Sequence, residues 1–532
     1  MTRSAAAAFV ACLEREGVET IFGLPGEELE DILFAIRDAD VSFVPVRHEQ
    51  GAAFMADVHG RLTGSAGVCL ATLGPGATNL MTGVADATLD KAPVVAITGQ
   101  GGLERLHKES HQALDIVEML APITKWNAQI SDPNIVHESV RKAFKVAEWE
   151  KPGATHLEFP EDIAARETDV EPLPTYEPVS RPAPDPTAIE QVRELLAGID
   201  RALLISGNGA VRTGAAGPLR SLVATTDIPV ASTYMGKGAI SDEDPRSLMT
   251  LDSGDHEEAS DAIERAELIL AVGYDIAEHD PAEWNPKDDT RIVHIDTEPA
   301  EVYAHYNPDI EIVGDLSMTI RALADQCSEA GVCGDPEWYQ SLREHIVEDV
   351  TQPPASAELT LEETVPYLRD AMASDDVLIA DVGSHKMAIA QRFRTYEPNT
   401  CIISNGLAAM GIAVPGALAA DLAVESNVVA VTGDGGFLMN AAEIETATRL
   451  GCSFTIVVFN DADYRLISEH QEEHRGDHFG TKFTNPDFMS FAESFGIAGY
   501  RPTSWGEIEA VLGETVSTDE MALVEIPLTT DW

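Results

Sequence analysis

Short apolar runs alternate with longer helix-prone stretches along the whole chain. The runs include APVVAITG, AELILAVG, DDVLIAD and NVVAVTGDG, and segments rich in Ala, Leu and Glu separate them. This βαβ alternation predicts parallel sheets that carry helices on both faces. Several of the runs end directly in Gly or Asp. Because open α/β sheets bind ligands outside the carboxyl ends of their strands, these residues are the first candidates for a functional site.

Two segments interrupt the alternation and divide the chain of 532 residues. Residues 171–187 contain too many prolines to continue a helix or a central strand. Residues 328–361, with SEAGVCGDPEW and TQPPASAELT, indicate a second break. We therefore expect an α/β protein of three doubly wound parallel-sheet domains, at residues 1–168, 186–330 and 358–532.

Acidic residues dominate the charge of the chain. Asp and Glu number 90 against 35 Lys and Arg, which gives a formal net charge of -55. A nucleic-acid binder needs the opposite sign to neutralise phosphates, so no nucleic-acid partner is expected. The acids are spread along the chain, as on a solvated surface, and high salt screens the repulsion between such charges. We interpret the chain as a salt-adapted, cytoplasmic protein.

Cysteines and apolar runs exclude two further classes. The six cysteines form no CxxC pair, so the sequence indicates neither a zinc site nor a disulfide framework. The N-terminal MTRSAAAAFVACLEREGVE permits a weak secretory signal, but an amphipathic first helix is the better interpretation because charged residues follow at once. No apolar run reaches the ~18 residues of a membrane helix, so no membrane partner is expected.

Residues 431–464, VTGDGGFLMNAAEIETATRLGCSFTIVVFNDADY, place a carboxylate after each of two apolar strands. Asp434 lies between Gly433 and Gly435, where glycines let the backbone approach a ligand, and the amides around Gly435 and Gly436 favour an anion. Asp461 follows the next strand. Neighbouring parallel strands bring these carboxylates together, and oxygen ligands suit Mg²⁺. The residues alone also permit a helix cap at Asp434 and an Asx turn at Asp461.

A third carboxylate ends a strand in VSFVPVRHEQGAAFMADVHGRLTG, residues 41–64. Glu49 follows Arg47 and His48, and an ion pair at the strand end is its simplest role. The small residues GAAFMA predict close packing, which would bury Glu49. Since burial raises the pKa of a carboxyl group, Glu49 could then share a proton with a ligand nitrogen.

The GDG sequence with the distant ND resembles the motif of the thiamine-diphosphate-dependent enzymes, in which GDG is followed by NN. The resemblance implies that the three domains are pyrimidine-binding, central and diphosphate-binding. It also implies that the metal ligands are Asp434, Asp461 and the main-chain carbonyl of Asp463. Asp461 departs from the common asparagine, which keeps an oxygen ligand and adds a negative charge.

Other stretches resemble the same family and cover nearly the whole chain, among them GLPGEELEDIL, TLGPGATNLMTGVADA, DVGSHKMAIAQ and SNGLAAMGIAVPGA. In that family the glutamate of RHEQGA, here Glu49, hydrogen-bonds the aminopyrimidine of thiamine diphosphate, and the cofactor carries the chemistry. Ser384 and His385 match residues near the diphosphate, and Met410 matches a residue that wedges under the cofactor. Without the resemblance, Met410 would be interpreted as core packing and His385 as a surface histidine.

Two stretches resemble one branch of the family, the acetolactate synthases. LHKESHQALDIVEMLAPITKW contains Gln112, which matches a glutamine beside the substrate and is otherwise a polar loop residue. AVGYDIAEHDPAEWN resembles the catabolic enzymes that lack FAD, and GNGAVRTG lacks the GxGxxG form of a dinucleotide site. His470 stands where that branch usually has glutamine, which leaves the choice of acceptor open.

The resemblance implies an enzyme that decarboxylates pyruvate, or a related 2-oxoacid, and adds hydroxyethyl-thiamine diphosphate to a second pyruvate. The products would be 2-acetolactate and CO₂, with thiamine diphosphate and Mg²⁺ as cofactors and no FAD. Another decarboxylase or carboligase of the family and a flavin-linked pyruvate oxidase are the alternatives. In the family, the first domain of one subunit faces the third domain of another, which implies a homodimer or homotetramer.

Overall fold

A computed structural model describes residues 2–175, 180–251, 257–287 and 290–528. In this part of the chain, three six-stranded sheets follow one another along the sequence, and all strand pairs within them are parallel. Helices pack on both faces of each sheet. The predicted class, three doubly wound α/β domains, is confirmed.

The first sheet has the strand order β3-β2-β4-β5-β7-β6. Its strands are β2 (Thr20–Gly23), β3 (Ser42–Pro45), β4 (Gly67–Ala71), β5 (Val94–Gln100), β6 (Trp126–Gln129) and β7 (Ala154–Pro160). Its helices are α1 (Ala5–Arg15), α2 (Glu30–Arg37), α3 (Glu49–Thr63), α4 (Pro75–Leu89), α5 (Ile116–Leu120), α6 (Val136–Glu148) and α7 (Glu161–Ala164). Two short strands, β1 (Arg3–Ser4) and β8 (Glu167–Thr168), pair antiparallel beside it. The predicted first helix is α1, which buries Phe9 and Leu13.

The second sheet has the order β11-β10-β9-β12-β13-β14. Its strands are β9 (Ala202–Ser206), β10 (Val230–Ser232), β11 (Ser247–Thr250), β12 (Leu268–Val272), β13 (Arg291–Asp296) and β14 (Ile310–Val313). Its helices are α8 (Pro186–Leu196), α9 (Asn208–Arg212), α10 (Ala216–Thr226), α11 (Glu257–Arg265), α12 (Pro281–Trp284), α13 (Leu316–Ala330) and α14 (Glu337–Thr351).

The third sheet has the order β16-β15-β17-β18-β20-β19. Its strands are β15 (Val377–Ala380), β16 (Cys401–Ile403), β17 (Val428–Gly433), β18 (Thr455–Asn460), β19 (Ala498–Tyr500) and β20 (Ala522–Pro527). Its helices are α15 (Leu361–Ala371), α16 (Ser384–Arg392), α17 (Ala413–Ala423), α18 (Asp434–Asn440), α19 (Glu443–Leu450), α20 (Arg465–Arg475), α21 (Phe488–Ser494) and α22 (Trp505–Thr515).

The central strands are apolar throughout because both faces of each sheet are covered. In β5, Val94 and Ala96 enter one apolar cluster, whereas Val95 and Ile97 enter another on the opposite face. Parallel strands that are buried on both faces have this near-continuous apolar character. The pattern accounts for the apolar runs from which the fold class was predicted.

The first and third domains share an apolar core built from small residues. Helices α3 and α17 pack together, and Ala53 and Ala417 are fully buried in the same apolar cluster. A Cβ placed at Gly416 would lie 2.9 Å from a Val58 methyl group, so the two helices approach too closely for a larger residue. The predicted close packing of GAAFMA is confirmed.

A buried ionic cluster joins the same two domains. The Arg61 guanidinium lies 2.6 Å from both Asp57 and Asp90 and 3.3 Å from Asp86. Asp86 also accepts a hydrogen bond from the Ser404 hydroxyl of the third domain at 2.7 Å. Burial and the neighbouring carboxylates raise the pKa of Asp86 well above its usual range. The cluster ties the carboxyl end of β16 to α3 and α4.

One of the two predicted breaks is wrong at its centre. Residues 328–361 contain α14, whose Tyr339, Leu342 and Ile346 pack against the central domain. The other break is confirmed, since residues 171–175 and 180–185 form neither helix nor strand. The domain boundaries themselves stay a prediction. Among the described helices, none combines the length and the apolar character that spanning a membrane requires.

Candidate active site

Two neighbouring strands of the third sheet bring Asp434 and Asp461 to one edge. Gly433, the last residue of β17, lies opposite Phe459 of β18. Asp434 begins α18, and Asp461 directly follows β18. The two loops are in contact, because the Ala462 amide donates a hydrogen bond to Asp434 Oδ2 at 2.7 Å. The sheet order therefore produces the approach that the sequence pattern predicted.

Asp434 is almost fully buried and is held through both carboxylate oxygens. The Gly435 amide donates to Oδ1 at 2.8 Å, and Asn485 Nδ2 donates to Oδ2 at 2.6 Å. Burial raises the pKa of Asp434, and these hydrogen bonds oppose that rise. These hydrogen bonds fix the orientation of the carboxylate at the N-terminus of α18.

Asp461 lies in the loop after β18 and faces the Asp434 carboxylate. Burial, followed by the negative charge of Asp434, raises the pKa of Asp461 to about 6. The Asp463 carboxylate turns away and accepts the Ser468 hydroxyl at 2.7 Å, so its carbonyl is the group left to act as a ligand. No group of three His, Cys, Asp or Glu side chains suited to a metal lies in the described residues. Two mutually repelling carboxylates nonetheless form an oxygen donor set that a hard divalent cation stabilises.

A cavity of about 280 Å³ opens beside these carboxylates. The third-domain residues that the sequence suggested for cofactor and metal all line it; they are Ser384, His385, Met410, Gly433, Asp434, Gly435, Gly436, Asp461 and Asp463. Residues separated by some 80 positions in the sequence thus meet in one space at the carboxyl edge of the sheet, where the α/β fold predicts a ligand.

His385 lies in the cavity wall rather than on the surface. Its side chain is 4% exposed, and the ring stacks on Phe459. Burial lowers the pKa of His385 to about 3, so the ring is neutral. Its Nε2 has no hydrogen-bond partner among the described residues. A buried polar atom of this kind fits a site that receives a polar ligand.

Glycines keep the floor of the cavity open. A Cβ at Gly436 would lie 3.0 Å from the Asp381 carboxyl group, and one at Gly435 would lie 2.7 Å from the Tyr464 ring. A diphosphate-sized group can therefore approach the amides at the start of α18 only because no side chain intervenes. Ser384 Oγ lies near by and donates to Glu469 at 3.2 Å.

Met410 is held in the wall by contacts that the sequence did not predict. The Gly411 amide donates to Asp381 Oδ1 at 2.8 Å, and Asn440 Nδ2 donates to the Gly411 carbonyl at 2.8 Å. Gly411 adopts a φ of +94°, which favours glycine. Asp381 stands at a strand end and could have been found by that rule, whereas nothing in the sequence indicated Asn485 or Asn440.

Glu49 begins α3 and is 5% exposed, which confirms the predicted burial. It accepts a hydrogen bond from Asn79 Nδ2 at 2.9 Å. The expected ion pair with Arg47 is not found in the described structure, since Arg47 lies 3.9 Å from Glu445 instead. Glu49 is not among the residues that line the cavity at Asp434.

Gln112 and Glu49 flank the same loop of the first domain. A Cβ at Gly74 would lie 2.9 Å from Gln112 Cβ, and one at Gly76 would lie 3.4 Å from Glu49 Oε1. Gln112 is exposed and has a φ of +57°. The first domain therefore presents its two candidate residues together, at the start of α4.

His470 lies outside the cavity wall. It is exposed on α20, and its ring stacks on His474 with the ring centres 4.2 Å apart. Within the described chain, the residues of this segment that do reach the cavity are Tyr464, Arg465, Leu466 and Ile467. His470, which differs from the usual family residue, therefore does not line the candidate site of its own chain.

Comparison with known families covers each of the three domains. Residues 3–119 match the N-terminal binding domain of thiamine pyrophosphate enzymes, residues 189–323 the central domain and residues 381–526 the C-terminal binding domain. The chain belongs to the thiamine pyrophosphate enzymes. Glu49 and Gln112 lie within the first match, and the cavity at Asp434 lies mostly within the third.

Curated relatives within the thiamine pyrophosphate enzymes are similar along the whole chain. An acetolactate synthase of Bacillus subtilis is 33% identical over 98% of this chain and 92% of its own length. A probable acetolactate synthase large subunit of Methanocaldococcus jannaschii is 32% identical, over 98% and 91%. A catabolic acetolactate synthase of Raoultella terrigena is 32% identical, over 98% and 94%.

Proposed function

We propose that this protein is an acetolactate synthase, which decarboxylates pyruvate and transfers the remaining two-carbon unit to a second pyruvate. The products are 2-acetolactate and CO₂. The full-length similarity to acetolactate synthases carries the proposal. Two features of the chain support it, namely the buried carboxyl group of Glu49 and the pair of carboxylates Asp434 and Asp461.

The cavity at Asp434 is the proposed site of the diphosphate and Mg²⁺. Asp434, Asp461 and the carbonyl of Asp463 would hold the metal, whose charge relieves the repulsion between the two carboxylates. His385 Nε2 and Ser384 would contact the diphosphate together with the amides of Gly433, Gly435 and Gly436, and Met410 would support the thiamine. Bound thiamine diphosphate supplies the electron sink for the loss of CO₂.

Glu49 is the proposed catalytic carboxyl group and holds or releases a proton at the aminopyrimidine. Asn79 fixes one of its oxygens and leaves the other for the ligand. Gln112 is proposed to contact pyruvate, because it flanks the same loop. Since Glu49 does not line the cavity of its own chain, a second copy would supply it. The catalytic form is therefore at least a homodimer, and a homotetramer fits equally well.

We propose a mechanism without FAD, because side chains of the protein fill the carboxyl end of the central sheet. The Glu278 carboxyl group accepts hydrogen bonds from the Asn208 amide at 2.9 Å and from the Asp275 amide at 3.1 Å. The Lys151 ammonium lies between Asp275 and Asp296, 3.0 Å from the latter. Internal polar and charged side chains thus occupy the positions where a dinucleotide phosphate would meet the fold.

The first two glycines of GNGAVRTG have a packing role. A Cβ at Gly209 would lie 2.6 Å from Gly273 Cα, and one at Gly207 would collide with the Gly273 carbonyl. The loop before α9 therefore lies directly against the loop after β12. This close contact accounts for Gly207 and Gly209 without a bound nucleotide.

The stability of the protein should depend on pH through Glu278. Burial, followed by the charge of Asp275, raises the pKa of Glu278 from 4.5 to about 8. The folded state thus keeps a proton that the unfolded state releases, so this stabilisation is complete below pH 4.5 and is lost as pH rises to 8. We expect the free energy of unfolding to fall by up to about 4 kcal/mol over that range.

Thermal unfolding of Glu278→Gln across this pH range tests the prediction. The variant should unfold with a weaker pH dependence than the wild type, because glutamine does not titrate. Glu329→Gln, at an exposed position of α13, is the matched control and should keep the wild-type slope. Identical slopes for wild type and Glu278→Gln would contradict the assignment.

Product analysis tests the proposed function. Purified protein receives Mg²⁺, thiamine diphosphate and labelled pyruvate, without FAD, in potassium-rich buffer. We expect 2-acetolactate and CO₂, and no product after the metal is removed with EDTA. Acetate and peroxide from a yellow protein would instead identify a flavin-linked pyruvate oxidase. A different condensation product would identify another carboligase of the family.

We further propose that the protein works in a salt-rich cytoplasm. Its net charge of -55 produces repulsion between exposed carboxylates, which salt screens. The melting temperature should therefore be several degrees higher in about 2 M KCl than in about 0.1 M KCl. Greatest stability at the lowest salt concentration would refute this adaptation.

A further inference from the structure

Half of the lysines of this chain line a single cleft. The sequence contains ten lysines in all. Five of them face a cleft of about 710 Å³ beside the junction of the first and central domains; they are Lys91, Lys125, Lys142, Lys145 and Lys151. None of the described residues that line the cleft also lines the cavity at Asp434. A surface that only solvates an acidic protein would not concentrate its lysines in this way.

Four of these lysines have no ionic partner within the part of the chain that the structure describes. Lys151 pairs with Asp275 and Asp296, but no described carboxylate oxygen lies within 4.0 Å of the ammonium groups of the other four. Lys125 Nζ donates to the Trp149 carbonyl at 2.6 Å, and Lys142 lies 4.6 Å from the centre of the Trp126 ring. The cleft therefore keeps several positive charges that the protein does not neutralise by contact.

One of the two acids in the cleft wall already has ionic partners. Glu150 is paired with Arg181 at 3.1 Å and with Arg212 at 3.0 Å, which leaves Glu298 as the other acid in the wall. The pKa of Lys125 is lowered to about 8, first by burial and further by the charges of Lys91 and Arg212, against the opposite effect of Glu150 and Glu298. Because burial disfavours the charged form of Lys125, a bound anion would stabilise its ammonium group.

Helix stabilisation does not explain the cluster. Lys145 lies in the last turn of α6, where a cation interacts favourably with the helix dipole. Lys91, however, follows α4 and Lys125 precedes β6. Lysines from the ends of α4, β6 and α6 thus meet at the cleft.

An exposed aromatic ring completes the wall. Trp149 follows α6 and is 52% exposed, although tryptophan is usually well buried. Lys142, Lys145 and Trp149 lie on one face of the helix end, at spacings of three and four residues. The ring and the ammonium groups are therefore open to the same ligand.

The cleft also has the size of a small-molecule site. Its volume lies within the range of about 300–1,000 Å³ that is typical of ligand pockets. It adjoins an inner cavity of about 130 Å³, with Lys91, Glu150 and Pro152 in both walls. A multiply charged molecule with an aromatic group matches both its lining residues and its volume.

We propose that this cleft binds a nucleoside polyphosphate. The phosphates contact Lys91, Lys125, Lys142 and Lys145, and the base stacks on Trp149. The site is separate from the one proposed for thiamine diphosphate. Binding there can be measured whether or not the protein forms acetolactate.

Calorimetric titration of the holoprotein with ATP tests this proposal. Mg²⁺ and thiamine diphosphate are kept saturating, so that the cofactor site is already filled. We expect one ATP per chain, with inorganic triphosphate and adenosine each bound at least roughly tenfold more weakly. Lys142→Gln/Lys145→Gln should weaken ATP binding roughly tenfold or more, because it removes two charged contacts.

Two further variants make the result specific. Trp149→Leu should weaken ATP binding but leave triphosphate binding unchanged. Arg265→Gln/Lys287→Gln removes the same charge from exposed positions outside the cleft and should bind ATP like the wild type. The lysine substitutions lie on the exposed face of α6, and an unchanged melting temperature verifies folding.

Three results would overturn the proposal. The first is no ATP binding to the wild type, and the second is an equal loss in the control variant. The third is triphosphate binding as tight as that of ATP with no effect of Trp149→Leu, which excludes a base contact. A changed oligomeric mass of Lys142→Gln/Lys145→Gln without ATP binding would instead identify the cleft as a contact between copies.

Discussion

Glu49→Gln should lower the rate of acetolactate formation by roughly 10²- to 10⁴-fold, the usual contribution of a positioned acid–base group. The substitution keeps the shape of the side chain and an oxygen that can accept the Asn79 hydrogen bond. It removes the ability to exchange a proton with the cofactor. The turnover number at saturating pyruvate and thiamine diphosphate measures the effect.

Glu30→Gln is the matched control, because Glu30 is an exposed glutamate of the same domain. It should retain wild-type activity, and both variants should keep the wild-type melting temperature. Cofactor affinity, measured separately, distinguishes lost chemistry from lost binding. A Glu49→Gln enzyme that works at more than about a tenth of the wild-type rate would remove Glu49 from the proposed mechanism.

Asp434→Asn should weaken the binding of thiamine diphosphate and Mg²⁺ by roughly a hundredfold, whereas Asp461→Asn should have a much smaller effect. Asp434 accepts hydrogen bonds through both oxygens, from Gly435, Ala462 and Asn485. An amide in either orientation would direct an NH₂ group at one of these donors. Among the described residues, Asp461 accepts a hydrogen bond only from the Asp463 amide, at 3.2 Å, and the Arg465 guanidinium lies farther away.

Titration of the metal-free protein with cofactor compares the two variants directly. Fluorescence quenching gives the affinity, and circular dichroism verifies that each variant is folded. The asparagine at position 461 also restores the residue that the family commonly has there, so Asp461→Asn serves as the matched control for Asp434→Asn. Equal losses of affinity would contradict the unequal roles assigned to the two carboxylates.

Much of the third-domain cavity could be predicted because its residues stand at strand ends. Gly433 and Asp434 follow one apolar run, and Asp461 follows the next, so a rule about parallel sheets sufficed to bring them together. Asn485 could not be predicted in the same way. It reaches Asp434 from a loop 51 residues further along the chain, and no local pattern encodes that contact.

The error at residues 328–361 has a local cause. Glycine and proline around Asp335 indicate a break in the secondary structure, whereas the apolar spacing that follows indicates a helix. Tyr339, Leu342, Ile346 and Val350 recur every three or four residues and form the buried face of α14. Pro336 lies at the start of this helix, a position that tolerates proline, and does not interrupt it.

The role of Glu49 cannot be predicted fully from the sequence or from the structure of a single chain. Its burial followed from the small residues around it, but the cavity that we propose as its catalytic partner belongs to a second copy of the chain. Likewise, the lysine cleft could not be predicted, because its members are spread over some 60 residues and three elements. Both features depend on contacts between distant segments rather than on local pattern.

A hybrid dimer tests most directly whether Glu49 of one chain and the Asp434 cavity of another form one site. Glu49→Gln and Asp434→Asn chains with different tags are produced together, and the mixed dimer is purified. Each variant alone should be nearly inactive, whereas the hybrid keeps one intact site of two and should form acetolactate at about half the wild-type rate. A hybrid no more active than its parents would show that the two residues do not serve one site across the dimer.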